Sequence, residues 1–278
     1  MRPGRLLRGT LVYALLLALA VVHVAPVAFM VVGSLKPDAR VLADMGGAAA
    51  FWPRQPSLAN YADVLARVDF GRFLANSAVI TGGVVGLGLL VNGLAGYALA
   101  RLRWRGRDWV LAAVLALLIL PLEAIVVPLF YEVSLLGWRD TYTVQIVPFV
   151  ANAFFVYLFY VFFLGLPREL EEAARMDGAG TLGTFFRVVA PNAKPAFATV
   201  AVLGFLFQWG QYLWPLMVTS GERVRPLPVA IAAFRTLPPL QWGDILAFGV
   251  MMVAPVVAVF LVFQRWFVRG VAASGVKG

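Results

Sequence analysis

The chain contains no cysteine, a single histidine and few charged residues, which make up 13% of its 278 residues. Without cysteine, disulfides and thiolate chemistry are excluded. A membrane-embedded enzyme needs convergent titratable groups, and Glu123 with His23 is the best set on offer. The chain also lacks a G-x-x-x-x-G-K-[ST] loop, which excludes ATP binding in the Walker manner. We therefore do not expect catalysis, including ATP hydrolysis, from this chain.

Long apolar runs dominate what is present. Hydrophobic residues make up 62% of the chain and its mean hydropathy is +0.85, values typical of a protein whose solvent is mostly lipid. Each run approaches the roughly 20 residues that a membrane-spanning helix needs. The runs lie at about 11–32, 73–100, 109–131, 144–166, 196–218 and 245–263. We predict an all-α integral membrane protein with six transmembrane helices in one domain, 1–278, whose first helix is retained rather than removed as a signal.

Lysine and arginine concentrate in alternate connections between the runs. Since these residues resist translocation, the connections in which they are most closely spaced are predicted to be cytoplasmic, which places both termini in the cytoplasm. They are the N-terminal tail (Arg2, Arg5, Arg8), the loop after the second run (Arg101, Arg103, Arg105, Arg107), the loop after the fourth (Arg168, Arg175, Arg187, Lys194) and the C-terminus (Arg265, Arg269, Lys277). The opposite loops also carry lysine and arginine, but over longer stretches and diluted by Asp38, Asp44, Asp63 and Asp69. The net charge of +9 follows from this bias and from anionic membrane lipid, so a nucleic-acid partner is not expected.

The segment 167–195 is a polar stretch between two apolar runs. Pro167 suits a first helical position, and Glu169, Glu171 and Glu172 follow in the first turn, where negative charge is favourable. In that helix Leu170, Ala173 and Ala174 are predicted to share a face, and Gly178 and Gly180 are predicted to stop it. Thr181 is expected to cap a second helix with an apolar face of Leu182, Phe185, Phe186 and Val189, ended by Pro191 and Pro195. An acidic exposed face favours a protein partner over lipid headgroups.

The spacing in this segment resembles a known motif. Glu172, Ala173, Ala174, Gly178 and Pro191 are in register with the EAA motif of the permease subunits of binding-protein-dependent ABC importers, with Val188 and Ala190 where isoleucine and leucine are usual. Other segments resemble the maltose-type carbohydrate permeases, among them Tyr97–Arg101, Gly137–Thr141 and Trp214–Leu216. Leu120–Glu123 and Gln211–Leu216 look similar to the glycerol-3-phosphate branch of that group.

The resemblance implies a type I ABC-importer permease fold in a bacterial or archaeal cytoplasmic membrane. It implies that the segment 167–195 is a coupling-helix hairpin seated in an ATPase subunit, with Glu172, Ala173, Ala174, Asp177, Gly178 and Pro191 as its coupling residues. The implied partners are a second homologous permease subunit, two ATPase subunits that carry ATP and Mg, an extracytoplasmic solute-binding protein and a sugar-like solute. No cofactor is expected on this chain. The alternatives are a permease for glycerol 3-phosphate or another small solute and, in a different class, a secondary transporter, which has no need of the acidic hairpin.

Polar and aromatic residues within the runs are candidates for the solute pathway. They are Glu123, Asn152, Gln208, Trp209, Gln211 and Tyr212. Glu123 is equally compatible with a structural role. The group around Gln208 is also compatible with an aromatic belt at the membrane interface, and that is the location that we predict for Trp214.

Gly82 and Gly86 form a G-x-x-x-G that predicts close helix packing, within the chain or with a second permease. The proline-rich loop 219–242 is predicted to present a contact surface outside the membrane.

Overall fold

The computed structural model describes residues 3–275, and all the regular secondary structure in this part of the chain is helical. Arg2 and Lys277, two of the charges predicted to be cytoplasmic, lie outside the described residues. The helices are α1 (Pro3–Ser34), α2 (Asp38–Ala43), α3 (Ala59–Arg67), α4 (Phe70–Arg101), α5 (Arg107–Leu117), α6 (Leu122–Leu135), α7 (Tyr142–Val150), α8 (Ala153–Leu164), α9 (Glu169–Met176), α10 (Thr181–Thr184), α11 (Ala190–Asn192), α12 (Lys194–Trp209), α13 (Leu213–Val218), α14 (Leu227–Phe234) and α15 (Trp242–Gly275). A 3-10 turn covers Ala48–Phe51, and a π-helical turn, Phe185–Val189, joins α10 to α11.

Four helical stretches of the described residues are long and apolar enough to cross a membrane. They are Gly9–Ser34, Phe70–Arg101, Tyr142–Leu164 and Trp242–Phe263, and a fifth arises if Thr181–Asn192 and Lys194–Trp209, bent by 81°, count as one span. The third predicted run is divided between α5 and α6, and the fifth between α12 and α13. An 11-residue helix such as α5 rises only about 17 Å, short of the roughly 30 Å hydrocarbon core. The count of six spans stays a prediction.

One compact unit is built from residues 1–70 and 231–254. At its core the ring of Phe248 lies 5.1 Å from that of Phe70 and 5.5 Å from that of Phe234. Residues 59–67 form the short helix α3. Its Asn60 side chain donates to the carbonyls of Ser34 (2.7 Å) and Lys36 (2.8 Å), which ties α3 to the end of α1.

The second unit comprises residues 71–230 and 255–278. Its core is an aromatic cluster from α4, α8 and the segment that runs from α10 to α12: Tyr97, Ala100, Phe155, Phe159, Phe163, Phe185, Val189, Ala193, Ala196 and Val200. Glycine allows the closest approach, because a Cβ on Gly96 would lie 2.6 Å from Cβ of Phe159. By contrast, no atom of another helix lies within 4 Å of the Cβ positions of Gly82 and Gly86, so the predicted close packing at that pair does not occur among residues 3–275.

Candidate functional site

The hairpin 167–195 contains the glycine stop that its sequence predicts. Gly178 has φ of +83°, a left-handed conformation that favours glycine. Its N–H donates to the Arg175 carbonyl (3.0 Å), and the N–H of Ala179 donates to the Ala174 carbonyl (2.9 Å). These two bonds form a Schellman motif that satisfies the last carbonyls of α9 after Asp177. The stop therefore sets the direction in which the chain leaves α9.

The second half of the hairpin departs from the prediction at both ends. Gly180, not Thr181, occupies the N-cap position of α10, and no side chain caps it, so the predicted Thr181 cap is wrong. Pro191 lies inside α11, and Pro195 lies in the first turn of α12, where it begins the next helix rather than ending this one. A first helical turn tolerates proline because its N–H has no partner there.

The predicted apolar face of the second helix is only half buried. Phe185 and Val189 are 1% and 2% exposed, whereas Leu182 is 62% and Phe186 50% exposed. The backbone changes to π winding at Phe185. The i, i+3, i+4 spacing of an α-helix therefore no longer places all four side chains on one face.

A buried polar cluster that sequence reasoning missed joins the hairpin to α4. We call Tyr97, Arg101, Glu171 and the Leu166 carbonyl the buried joint. Arg101 Nε lies 3.0 Å from Oε1 of Glu171, the Tyr97 hydroxyl donates to Oε2 (3.3 Å), and Arg101 Nη2 donates to the Leu166 carbonyl. The side chains of Arg101 and Glu171 are 4% and 9% exposed. The i, i+4 spacing of Tyr97 and Arg101 signalled a shared face on α4, but nothing in the sequence named Glu171 as its partner.

The opposite face of α9 is open. Glu172 and Ala173 are exposed, while Ala174 is 8% exposed and faces the chain's own interior. Leu170 is also exposed, so of the three side chains predicted to share a face only Ala174 is buried within the chain. A cleft of about 950 Å³ lies beside α9, lined by Arg101, Leu102, Arg103, Trp104, Arg168, Glu171, Glu172, Arg175, Ala179, Gly180 and Thr181. Four of these eleven lining residues are arginine.

Three of the predicted pathway residues come together at the end of α12. Gln208, Trp209 and Gln211 line a water-sized cavity together with Ser77 and Thr81 of α4. Trp209 is 6% exposed and stacks on Phe205 at 5.1 Å. Tyr212 lies next in the chain and is 41% exposed.

The other two pathway candidates lie elsewhere. Glu123 is exposed in the first turn of α6. Asn152 is the N-cap of α8, where its side-chain oxygen accepts from the N–H groups of Phe154 (3.0 Å) and Phe155 (3.3 Å), and its own N–H donates to the Asn92 side chain (2.8 Å). These bonds give Asn152 a structural role whether or not it meets solute.

The interfacial location predicted for Trp214 is wrong. Its side chain is 0% exposed, its indole N–H donates to the Val144 carbonyl (2.9 Å), and its ring lies 5.7 Å from that of Phe149. His23 is exposed on α1 and hydrogen bonds to the Leu19 carbonyl of its own helix (2.7 Å). Any helix packing by His23 would therefore involve a surface outside this chain.

The segment 219–242 is buried in its middle and exposed at 220–223 and 235–240, so only its flanks can present the predicted contact surface. Its middle forms α14, where Leu227, Val229, Ala230 and Phe234 are at most 5% exposed. The segment before α14 is fastened by side chains: Asn76 donates to the carbonyls of Arg223 (3.1 Å) and Arg225 (2.9 Å), and Gln145 to that of Val224 (2.8 Å).

Asp140 anchors the start of the same segment. Its carboxylate accepts a hydrogen bond from the Ser220 N–H (2.6 Å), and its carbonyl accepts one from Arg223 (2.7 Å). The backbone hydrogen bond from Ser220 favours the charged carboxylate and lowers the pKa of Asp140 below its ordinary value, more than burial raises it.

An arginine fastens the exposed turn 235–240 that follows α14. Arg67, the last residue of α3, pairs with the fully buried carboxylate of Asp244 (2.7 Å). The same guanidinium donates to the carbonyls of Leu237 (3.1 Å) and Pro239 (2.9 Å) and lies 4.7 Å from the centre of the Phe234 ring. One side chain thus contacts the helix before the turn, the turn itself and the helix after it.

Within residues 3–275, no group of three or more His, Cys, Asp or Glu side chains is placed to hold a metal ion.

Comparison with known proteins assigns the chain to a family. The family described as binding-protein-dependent transport system inner membrane component matches residues 85–273. The arabinooligosaccharides transport system permease protein AraQ of Halalkalibacterium halodurans is 33% identical over 94% of this chain and 93% of that protein. The sn-glycerol-3-phosphate transport system permease protein UgpE of Yersinia enterocolitica is 36% identical over 74% of each chain.

A solved structure shares the fold of the whole chain. It is that of a bacterial ABC transporter involved in the import of the acidic polysaccharide alginate, with a TM-score of 0.86, 27% identity and coverage of 96% of this chain and 98% of that one. The predicted type I permease fold and the predicted family resemblance are confirmed. The chain belongs to the binding-protein-dependent transport system inner membrane components and is a permease subunit of an ABC importer.

Proposed function

We propose that this permease forms half of the translocation pathway for a sugar or related polyol and that its hairpin couples ATPase closure to alternating access. Permeases of this family are non-catalytic transport components with no cofactor of their own, and they act with a partner permease, an ATPase and a binding protein. In our proposal two ATPase subunits carry the ATP and Mg, and both termini and the hairpin are cytoplasmic.

The observation that carries the coupling role is the two-sided character of α9. Glu171 and Ala174 are held inside the chain, while Glu172 and Ala173 on the opposite side are exposed. An exposed carboxylate beside a small residue suits close docking into a protein cleft. The Schellman stop at Gly178 limits how far α9 can tilt on its own, so a force applied at Glu172 moves the hairpin as a body.

A charge reversal tests the coupling role. In proteoliposomes that contain the assembled transporter, Glu172→Lys should abolish the stimulation of ATP hydrolysis by the binding protein. The two permease subunits and the two ATPase subunits should still copurify. Asp108→Lys is the matched control, because Asp108 is 91% exposed on the α4–α5 side and should tolerate the same charge change. Unchanged stimulation in Glu172→Lys would contradict the assignment.

Similarity to relatives supports the solute class. AraQ and the alginate importer are named for oligo- or polysaccharide transport, which favours a sugar as the first candidate solute. UgpE is named for glycerol 3-phosphate, which favours that compound as the second candidate. We propose that Gln208, Trp209, Gln211 and Tyr212 line the solute path, because amides and aromatic faces suit hydroxyl-rich solutes. The pathway roles of Glu123 and Asn152 stay predictions.

A solute screen separates these candidates. ATP hydrolysis by the reconstituted transporter with its binding protein is measured with arabinotriose, alginate oligosaccharides, glycerol 3-phosphate and, as a negative control, glutamine. Stimulation by a saccharide supports the first candidate, and stimulation by glycerol 3-phosphate alone supports the second. A response to glutamine alone would overturn the solute class.

A further inference from the structure

The buried joint links two parts of the chain that have no direct covalent connection. The hairpin is continuous with α8 before it and α12 after it, whereas α4 ends at Arg101, more than sixty residues upstream of Glu171. Any movement of the hairpin reaches α4 only through non-covalent contacts. The buried joint supplies the polar part of these contacts.

Arg101 is placed to hold both ends of the connection from α8 to α9. Its Nε faces the Glu171 carboxylate in α9, and its Nη2 donates to the carbonyl of Leu166, just after the end of α8. A guanidinium is planar and rigid, so one Arg101 side chain fixes the position of its ion-pair partner Glu171 relative to its hydrogen-bond acceptor, the Leu166 carbonyl. The end of α4, the end of α8 and the start of α9 are thereby held by one side chain.

Aromatic contacts of the Tyr97 ring lie next to the polar contacts of the buried joint. The Tyr97 ring lies 5.3 Å from that of Phe185 in the π turn and 6.2 Å from that of Phe163 in α8. Tyr97 thus contacts the second half of the hairpin through its ring and the first half through its hydroxyl. A cluster that is close-packed and also hydrogen-bonded transmits displacement because it cannot deform gradually.

We propose that Tyr97, Arg101 and Glu171 transmit the movement of the hairpin to α4, so that α4 follows the hairpin when nucleotide closes the ATPases. The proposal rests on the coupling function proposed above. In this proposal α4 moves together with α8 and α12, the helices that are continuous with the hairpin. Glu171 and Arg101 are positioning residues, because they act through the helix that they hold and contact neither solute nor nucleotide.

Hydrogen exchange in the assembled transporter tests this proposal without knowledge of the solute. Exchange of peptides covering 92–101 of α4 and 167–180 of the hairpin is measured by mass spectrometry, without nucleotide and with ATP and vanadate. In the unaltered transporter, nucleotide should change exchange in both peptides. In Glu171→Gln and Arg101→Gln, the hairpin peptide should still respond while the response of the α4 peptide is lost.

Further variants separate transmission from simple destabilisation. Arg101→Glu combined with Glu171→Arg should restore the α4 response, because the reversed pair can form again, and Tyr97→Phe should weaken it while keeping the aromatic contacts. Arg107→Gln is the matched control, since the neighbouring Arg107–Asp108 pair is 3.5 Å apart and less buried than the joint, with side chains 31% and 91% exposed. The ratio of solute uptake to ATP hydrolysed should fall in the single variants and recover in the double one.

The outcomes distinguish this proposal from the one on which it rests. An α4 response that persists in Glu171→Gln, with subunits assembled as in the unaltered transporter, overturns the transmission role and leaves the coupling role intact. A hairpin that fails to respond to nucleotide in the unaltered transporter overturns the coupling role itself. If Arg101→Gln fails to assemble, the isosteric Glu171→Gln and the charge-reversed pair decide the question.

Discussion

At the scale of single residues, two arginines at helix ends have comparable contacts. Arg67 ends α3 and Arg101 ends α4, and each pairs with a buried carboxylate while donating to carbonyls of a neighbouring connection. Removing one partner of such a pair leaves an uncompensated charge, at a cost of about 3–5 kcal/mol. Their shared role in joining separate segments could not be read from the sequence, because the acceptors lie far along the chain.

Gly96 permits the closest helix approach in the second unit. Gly96→Ala should destabilise the protein by roughly 1–3 kcal/mol, because the added methyl group meets the backbone and Cβ of α8 and neither can retreat. Thermal unfolding in detergent measures the effect. Gly82→Ala on the same helix is the control and should unfold like the unaltered chain, because the space beside Gly82 is open. Equal stability of the two variants would contradict the packing at Gly96.

Asp140 should make the segment 219–226 sensitive to acid. Its pKa in the folded chain is lowered from the ordinary 3.8, chiefly by the hydrogen bond from Ser220. A lowered folded pKa means that the stabilisation is fully present above pH 3.8 and is lost as the pH falls through the folded value. Hydrogen exchange of the Ser220 amide, corrected for its intrinsic pH dependence, should accelerate in that acid range. In Asp140→Asn the protection should be weaker and should not change with pH across it.

At the scale of elements, the hairpin divides into a part that was predictable and a part that was not. The acidic first turn and the stop at Gly178 follow from local chemistry, namely helix-end charge and the need for positive φ. The burial of Glu171 and Ala174 depends on what packs against α9. The π turn over Phe185–Val189 also has no local sequence signal, and it exposes Leu182 and Phe186.

The glycine stop of α9 can be tested with a neighbouring glycine as control. Gly178→Ala forces an L side chain into the left-handed region at a cost of about 1–2 kcal/mol and should redirect the chain after α9. We expect reduced stimulation of ATP hydrolysis by the binding protein. Gly180→Ala should behave normally, since Gly180 is extended and has open space around it. A normal response of Gly178→Ala would show that the stop is not needed for coupling.

At the scale of the whole molecule, much apolar surface remains uncovered by the chain itself. None of the most apolar window of Gly9–Ser34 is buried within the chain, and only about a third of that in Phe70–Arg101. This is expected of an inner-membrane permease subunit, whose helices face lipid and a partner permease. Gly82 and Gly86 lie on exposed positions of Phe70–Arg101.

The absence of cysteine allows a direct test of the proposed orientation. Met176→Cys places a thiol on the hairpin and Thr236→Cys places one on the turn after α14, both at exposed positions. In right-side-out vesicles, a membrane-impermeant maleimide should label only Thr236→Cys, and in inverted vesicles only Met176→Cys. Labelling of both from one side would contradict the orientation derived from charge.

The sequence by itself determined the lipid setting, the family and the glycine stop at Gly178, because these depend on composition, motif spacing and local backbone chemistry. It did not locate Trp214, whose indole finds its acceptor at Val144, about seventy residues away. It also did not reveal that α14 is buried, since prolines report on local stiffness and not on what covers them. Only the tertiary structure brought Glu171 to Arg101 and Asp244 to Arg67. A buried charge requires a partner, but which residue becomes that partner depends on how distant helices pack.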